Sequence, residues 1–101
     1  MGKFVKAASA ANLPPGSGTA VDIGDKSIAV FNVNGAFYAV DNTCQHAGGP
    51  LGEGSLEGKE VTCPWHGWTY DVTTGDCLTN PSVSQGKYNV KVEDGDILVE
   101  V

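Results

Sequence analysis

The sequence predicts an all-β fold, a sandwich or barrel of short antiparallel strands. Fourteen glycines and five prolines in 101 residues indicate many tight turns rather than long helices. Two dipeptides typical of β-hairpin turns, Asn34-Gly35 and Asp94-Gly95, each separate two runs of apolar and β-branched residues. A chain of this length has room for one hydrophobic core, so we expect residues 1–101 to form a single domain.

Seven or eight strands are expected, each an apolar or alternating run that ends at a turn signal. The run at 4–7 alternates, and a rigid proline- and glycine-containing loop at 12–18 follows it. Gly24-Asp25 joins the second strand to the third, and Thr74-Gly75-Asp76 follows the sixth. The expected strands cover 4–7, 19–23, 27–32, 37–40, 59–62, 68–72, 87–92 and 97–101.

The composition is that of an ordinary globular protein, with 41% hydrophobic and 18% charged residues. A net charge of −6 argues against nucleic acid as a partner, because few side chains could neutralise phosphates. An acidic surface of this kind can steer the protein towards basic patches on partner proteins. No apolar run approaches the length of a membrane span, and no hydrophobic signal core or lipidation motif is recognised. We therefore expect no membrane contact and a cytoplasmic location. A monomer is the default expectation for a chain of this size.

Two short runs, Cys44-Gln45-His46 and Cys63-Pro64-Trp65-His66, contain both histidines and two of the three cysteines. A random arrangement of so few residues rarely places each histidine two or three positions after a different cysteine. Both runs follow predicted strands, so we expect them on loops that a rigid sheet presents. One thiolate and one imidazole from each loop suit a [2Fe–2S] cluster in which two cysteines hold one iron and two histidines the other. The expected ligands of one cluster per chain are Cys44, His46, Cys63 and His66.

A structural zinc module is the alternative interpretation of the same four ligands, because nitrogen and sulfur donors also suit tetrahedral zinc. Zinc fingers usually take two cysteines from one short run and two histidines from another, whereas each run here mixes the two types. The third cysteine, Cys77, lacks a neighbouring histidine or second cysteine. We expect it to be a small, partly buried residue without chemistry, reduced in the cytoplasm.

The residues around the two runs suit a supporting role. Gly48, Gly49 and Gly67 allow backbone conformations in which N–H groups aim at cluster sulfurs. Pro50 and Pro64 would stiffen the loops. Trp65 and Trp68 flank His66 and would either shield the cluster, form part of a docking face or pack in the core.

The chain resembles Rieske-type proteins over essentially its whole length. The resemblance is carried by residues 44–51, 63–68 and 70–72 and by Thr74-Gly75, and it extends to similar runs at 13–16, 37–42 and 88–95. It implies three antiparallel sheets with the cluster held by two loops at the tip. It also implies that Cys44 and Cys63 bind the inner iron and that His46 and His66 bind the outer one.

Within this family the chain is similar to the soluble ferredoxins of bacterial aromatic-ring dioxygenase systems. Respiratory relatives carry a disulfide between the ligand loops, and Gly49 and Trp65 stand where its cysteines would be. Trp68 replaces a serine that donates a hydrogen bond to the cluster in that branch, which implies a potential towards the low end of the Rieske range. Tyr70 stands where many of these ferredoxins have phenylalanine and where respiratory relatives have a tyrosine that donates to a cluster cysteine.

The resemblance implies an electron carrier rather than an enzyme. It would take one electron at a time from a flavin-containing ferredoxin reductase and deliver it to a terminal oxygenase. The small subunit of an assimilatory nitrite reductase, which shares the overall pattern, is the alternative.

Overall fold

The computed structural model describes residues 3–43, 50–65, 67–80 and 82–101. Within these ranges the chain forms ten β-strands and two short 3-10 helices. The strands are β1 (Phe4–Ser9), β2 (Gly18–Ile23), β3 (Lys26–Val33), β4 (Ala36–Asp41), β5 (Ser55–Glu57), β6 (Glu60–Thr62), β7 (Thr69–Asp71), β8 (Lys87–Tyr88), β9 (Val90–Glu93) and β10 (Asp96–Glu100). The 3-10 helices are Ala10–Asn12 and Leu51–Glu53.

The strands assemble into three antiparallel sheets, which confirms the expected fold class. One sheet has the order β1-β10-β9, and the central sheet has the order β2-β3-β4-β8. The third, β5-β6-β7, lies between β4 and β8 in sequence and is called the site sheet below. Both predicted ligand runs also lie between β4 and β8 in the sequence.

The two strongest turn predictions are confirmed, because the local chemistry alone specifies them. Asn34 and Gly35 have φ values of 51° and 94° and join β3 to β4. Asp94 and Gly95 have φ values of 53° and 79° and join β9 to β10. A positive φ at both central residues defines the type I′ turn, which Asn-Gly and Asp-Gly favour.

The expectation of one strand over 87–92 is wrong. β8 pairs with β4 in the central sheet, whereas β9 pairs with β10 in another sheet, and Asn89 separates them. The alternating sequence of this segment suits either sheet, so it gives no sign of where the chain crosses between them.

The sequence does not predict β5, because Ser55-Leu56-Glu57 has no β-branched or aromatic residue. Its strand conformation comes from pairing with β6 in the register Ser55↔Thr62, Leu56↔Val61 and Glu57↔Glu60. Gly58 in the connecting turn has φ 60°, a conformation that glycine adopts without steric cost.

The central sheet separates two hydrophobic cores, and β3 contributes to both. Successive residues of a strand point to opposite faces, so Ile28 and Val30 enter one core while Ala29 and Phe31 enter the other. The first core lies towards the β1-β10-β9 sheet, with Ile97 and Val99 among its members. The second lies towards the site sheet, and we call it the site core. It comprises Ala29, Phe31, Val40, Leu51, Val61, Cys63, Tyr70, Val72 and Cys77.

Candidate metal centre

Cys63 is the one predicted ligand that lies within the described ranges. It follows β6 directly and is 1% exposed, and it belongs to the site core together with Tyr70 and Cys77. The other predicted ligands, Cys44, His46 and His66, lie outside the described residues. The assignment of all four as ligands therefore stays a prediction.

The loop that begins at Cys63 is closed at its base by the protein backbone. The N–H of Cys63 donates to the carbonyl oxygen of Trp68 at 2.7 Å, next to the β6–β7 pair Thr62↔Thr69. Gly67 has φ 74°, so the predicted backbone freedom at this position is used. Trp65, within the loop, is 52% exposed. The loop therefore combines a fixed buried thiol with an exposed aromatic ring.

The segment 44–49 is also bounded by backbone contacts, and Asn42 organises them. Thr43 and Pro50 form an antiparallel bridge on either side of this segment. The carbonyl and side-chain oxygens of Asn42 accept the N–H groups of Leu51 and Gly52, each at 2.7 Å. The buried amide of Asn42 also donates to Ser27 Oγ at 3.1 Å, which ties this arrangement to the central sheet. Asn42 thus holds the chain on both sides of the first ligand run.

The chain after the first run packs directly against the strand that leads to Cys63. A Cβ at Gly54 would overlap the carbonyl oxygen of Thr62 and lie 3.1 Å from its carbonyl carbon. Leu51 is fully buried in the same core as Cys63. The bases of the two predicted ligand loops therefore belong to one packed unit.

Asn42 and Gln85 are the supporting residues that sequence reasoning missed. Both are buried polar side chains that bind backbone groups around the first ligand run. The polar triplet Asp41-Asn42-Thr43 at the end of a strand is a weak sign of the role of Asn42. Gln85 belongs to no motif, because its partners lie more than forty positions away, with a separation of 44 residues from Asp41.

Asp41, at the end of β4, is held by the segment that contains Gly86 and Tyr88. The Asp41 N–H donates to the Gly86 carbonyl at 2.8 Å, and the Tyr88 hydroxyl donates to Asp41 Oδ1 at 2.5 Å. Partial burial, together with the hydrogen bond to the Asp41 carboxylate and its negative charge, raises the pKa of Tyr88 from 10.0 to about 12. The Lys26 ammonium lies 5.9 Å from the centre of the Tyr88 ring.

We expect the last resolved tyrosine step in an alkaline titration followed at 295 nm to include Tyr88. Tyr88→Phe should remove a step near pH 12, and Asp41→Asn should move that step to lower pH because the negative charge is lost while burial is kept. Since the folded-state pKa is raised, the stabilisation from this pair is complete below pH 10 and is lost as the pH rises towards 12. An unchanged titration in Asp41→Asn would contradict the assignment.

Asp71, at the end of β7, fixes the turn that follows the site sheet. Its carboxylate accepts hydrogen bonds from the Thr73 hydroxyl at 2.6 Å and the Thr73 N–H at 2.9 Å, and Lys59 Nζ lies 3.4 Å away. Burial raises the pKa of Asp71, but the hydrogen bonds from Thr73 and the Lys59 charge outweigh burial and hold the pKa below 3.8. Asp71 is therefore ionised at neutral pH, and its stabilising effect is lost only as the pH falls below 3.8.

Tyr70 and Trp68 are the side chains expected to tune the redox potential. Tyr70 is fully buried in the site core, and Trp68 packs partly buried against it. We expect Tyr70→Phe to lower the midpoint potential and Trp68→Ser to raise it. The family resemblance implies that the Tyr70 hydroxyl would donate to a cluster cysteine, and that a serine at position 68 would add another such donor. A hydrogen bond of about 1 kcal/mol corresponds to roughly 40 mV for one electron. Protein-film voltammetry in which neither variant shifts would reject this account.

The donor set and the described part of the site fit a [2Fe–2S] cluster. Thiolates of cysteine and imidazoles of histidine are its ligands in Rieske centres, and the chain offers two of each in two loops. Cys63 is a buried cysteine on a loop whose base is fixed by a backbone hydrogen bond. Across the described ranges, no three His, Cys, Asp or Glu side chains form another metal site.

Cys77 is more deeply buried than expected, at 1% exposure. Its sulfur accepts the Asn80 N–H at 3.3 Å, and its backbone bridges to Tyr70. Its surroundings are those of a packing residue of the site core.

The described part of the chain contains no helix long and apolar enough to cross a bilayer.

The comparisons with known proteins agree with the expected cofactor. A model of the Rieske [2Fe-2S] domain matches residues 3–97. The ferredoxin component of the naphthalene 1,2-dioxygenase/salicylate 5-hydroxylase systems of a Ralstonia species is 35% identical over 99 residues, covering 97% of this chain and 95% of that protein.

Two solved structures superpose on nearly the whole chain. A chain from the complex of reduced oxygenase and oxidized ferredoxin in carbazole 1,9a-dioxygenase has a TM-score of 0.88 and 35% identity, with 95% of this chain and 91% of that chain covered. A putative NADH-dependent nitrite reductase small subunit from Mycobacterium tuberculosis has a TM-score of 0.90 and 27% identity, with 100% and 96% covered. This chain therefore belongs to the Rieske [2Fe-2S] domain family, and its cofactor is one [2Fe-2S] cluster.

Proposed function

We propose that this chain is a one-electron carrier that accepts electrons from a flavin-containing ferredoxin reductase and delivers them to a terminal ring-hydroxylating oxygenase. The observation that carries the proposal is 35% identity, over 97% of the chain, to a ferredoxin component of dioxygenase and hydroxylase systems. When bound, the cluster supplies a site that takes up and releases a single electron. The chain itself performs no turnover.

The proposed cluster ligands are Cys44 and Cys63 on the inner iron and His46 and His66 on the outer iron, within a single domain of residues 1–101. Support comes from the burial of Cys63 and from the backbone closure of its loop. It also comes from the Thr43–Pro50 bridge that brackets the first run. These backbone contacts support the proposal because they hold the chain at the base of each predicted loop.

The surface near the second loop suits a partner protein. Trp65 is 52% exposed and immediately precedes the predicted ligand His66 in the sequence. The net charge of −6 would attract a basic partner face and make association depend on salt.

The test is a reconstituted electron-transfer assay with purified components. Product formation by a reductase and a ring-hydroxylating oxygenase, with an aromatic substrate, should rise and then saturate as the iron-loaded protein is added. Increasing salt should slow the reaction at subsaturating protein. A reductase that reduces the protein without any oxygenase accepting the electron, across several aromatic oxygenases, would overturn the proposal.

A nitrite reductase small subunit is the second candidate, favoured by the TM-score of 0.90 to such a protein. It predicts a stable complex with a sirohaem-containing large subunit and nitrite reduction that requires this chain. The same preparation can be tested in both assays, so the two outcomes are distinguishable. The family match gives no support to the zinc alternative.

We also propose that the carrier is a monomer and acts in the cytoplasm. Cys77 is a thiol without a disulfide partner and would stay reduced there. A mobile carrier that must meet two partners in turn is best served by a small, independent molecule.

A further inference from the structure

Gln85 is a buried amide that contacts the base of the first ligand loop from a distant part of the chain. It is 4% exposed. Its Nε2 donates to the carbonyl oxygens of Asp41 at 2.7 Å and of Thr43 at 2.8 Å. A glutamine amide has two N–H hydrogens, so both are directed at the chain immediately before Cys44.

The backbone of Gln85 contacts the support of the second ligand loop. Its N–H donates to the carbonyl oxygen of Gly75 at 2.6 Å, and the N–H of Gly75 donates to the carbonyl of Asp71 at 2.7 Å. Asp71 ends β7, which pairs with β6, and β6 leads into Cys63. One residue therefore connects the exit of β4 to the sheet that carries the other predicted loop.

This connection is tightly packed. A Cβ at Gly75 would lie 2.6 Å from the carbonyl oxygen of Gln85, so only glycine allows this approach without a shift. Gly75 also has φ 85°, which glycine adopts without strain. The contact between the Gly75 turn and Gln85 thus requires glycine at position 75, both for its close approach and for its backbone conformation.

We infer that Gln85 is a positioning residue that sets the separation of the two ligand loops and, through it, how firmly the cluster is held. The inference rests on the ligand set given under the proposed function. A cluster bridged between two loops depends on the distance between their bases, and outer residues that orient ligands commonly change metal affinity by 10–100-fold. The amide does this without a charge, so it adds no electrostatic bias of its own to the cluster.

The test compares Gln85→Met with a matched control. Methionine keeps the length of the side chain but removes both N–H donors. Asn32→Leu is the control, because Asn32 is also 4% exposed and its amide also donates to a distant carbonyl, that of Leu13, at 2.7 Å. Asn32 lies towards the Asn34-Gly35 turn, at the opposite end of the β3–β4 hairpin from Asp41.

We expect Gln85→Met to release iron to a chelator about tenfold faster than the parent protein and to change the electron paramagnetic resonance g-values of the reduced form. Asn32→Leu should lower Tm but leave the release rate and g-values of the folded protein unchanged. Gln85→Glu, whose carboxylate would face two carbonyl oxygens, should release iron faster still, and it provides a second measurement if one variant folds poorly.

Gln85 variants that lower Tm but match Asn32→Leu in iron release and g-values would overturn the inference. These measurements involve no reductase or oxygenase. A protein that fails in the electron-transfer assay but shows the expected release rates would contradict the proposed partners and leave the role of Gln85 standing.

Discussion

Cys63→Ala is expected to abolish the cluster, whereas Cys77→Ala is expected to retain it. Both cysteines are 1% exposed and both belong to the site core. Each substitution therefore removes one buried sulfur atom from comparable surroundings. They differ in position, because Cys63 begins the closed loop that ends at Trp68, whereas Cys77 forms a backbone bridge to Tyr70 in β7. Iron and acid-labile sulfide per chain, together with the visible absorption spectrum, measure the result.

The matched pair separates ligand loss from damage to the core. Removing a buried sulfur leaves a small cavity in either variant and should cost on the order of 1–2 kcal/mol of unfolding free energy. Cys77→Ala should therefore show a lower Tm with full iron content. Equal iron loss in both variants, or full iron in Cys63→Ala, would contradict the ligand assignment.

Gly54→Ala is expected to destabilise the fold strongly, although it adds only a single methyl group. The new Cβ would overlap the carbonyl oxygen of Thr62 and lie 3.1 Å from both the Thr62 carbonyl carbon and Val61 Cγ2. Gly54 has φ −77°, so alanine is not strained by its own backbone and the whole effect is steric. Because backbone atoms cannot rotate away, we expect a loss of about 3 kcal/mol, with partial loss of iron because Thr62 precedes Cys63.

Gly58→Ala provides the control for this substitution. Gly58 lies in the β5–β6 turn with φ 60° and open space where a Cβ would be. Left-handed backbone at a residue with a Cβ costs roughly 1–2 kcal/mol, so the variant should be mildly destabilised and should keep its iron. If thermal unfolding finds Gly54→Ala no less stable than Gly58→Ala, the backbone at Gly54 can move away from Thr62 at little cost, and the steric prediction is wrong.

Local chemistry explains which parts of the fold could be predicted from the sequence. Asn34-Gly35 and Asp94-Gly95 specify their turns because few other residue pairs tolerate positive φ twice in succession. The strands on either side of these turns follow from the same signals. The crossing at Asn89 could not be predicted, because it depends on which distant strand, β4 or β10, offers a free edge. The strand Ser55–Glu57 could not be predicted either, because its conformation comes from pairing with β6 and not from its own residue preferences.

The candidate site divides in the same way. Each predicted ligand run pairs one cysteine with one histidine two or three positions later, and this local pattern is visible in the sequence alone. The contacts of Asn42 and Gln85 are not, because a buried amide becomes recognisable only when the carbonyls that it meets are known. Neutral amides have no spacing rule, so their roles emerge from the folded chain alone.

The backbone closure of the loop at Cys63 has a consequence for how the holoprotein is made. The bond from the Cys63 N–H to the Trp68 carbonyl joins two peptide groups and involves no iron atom. We therefore expect this side of the loop to close in the newly synthesised chain before iron and sulfide are delivered. Small zinc domains differ, because their folding waits for the metal.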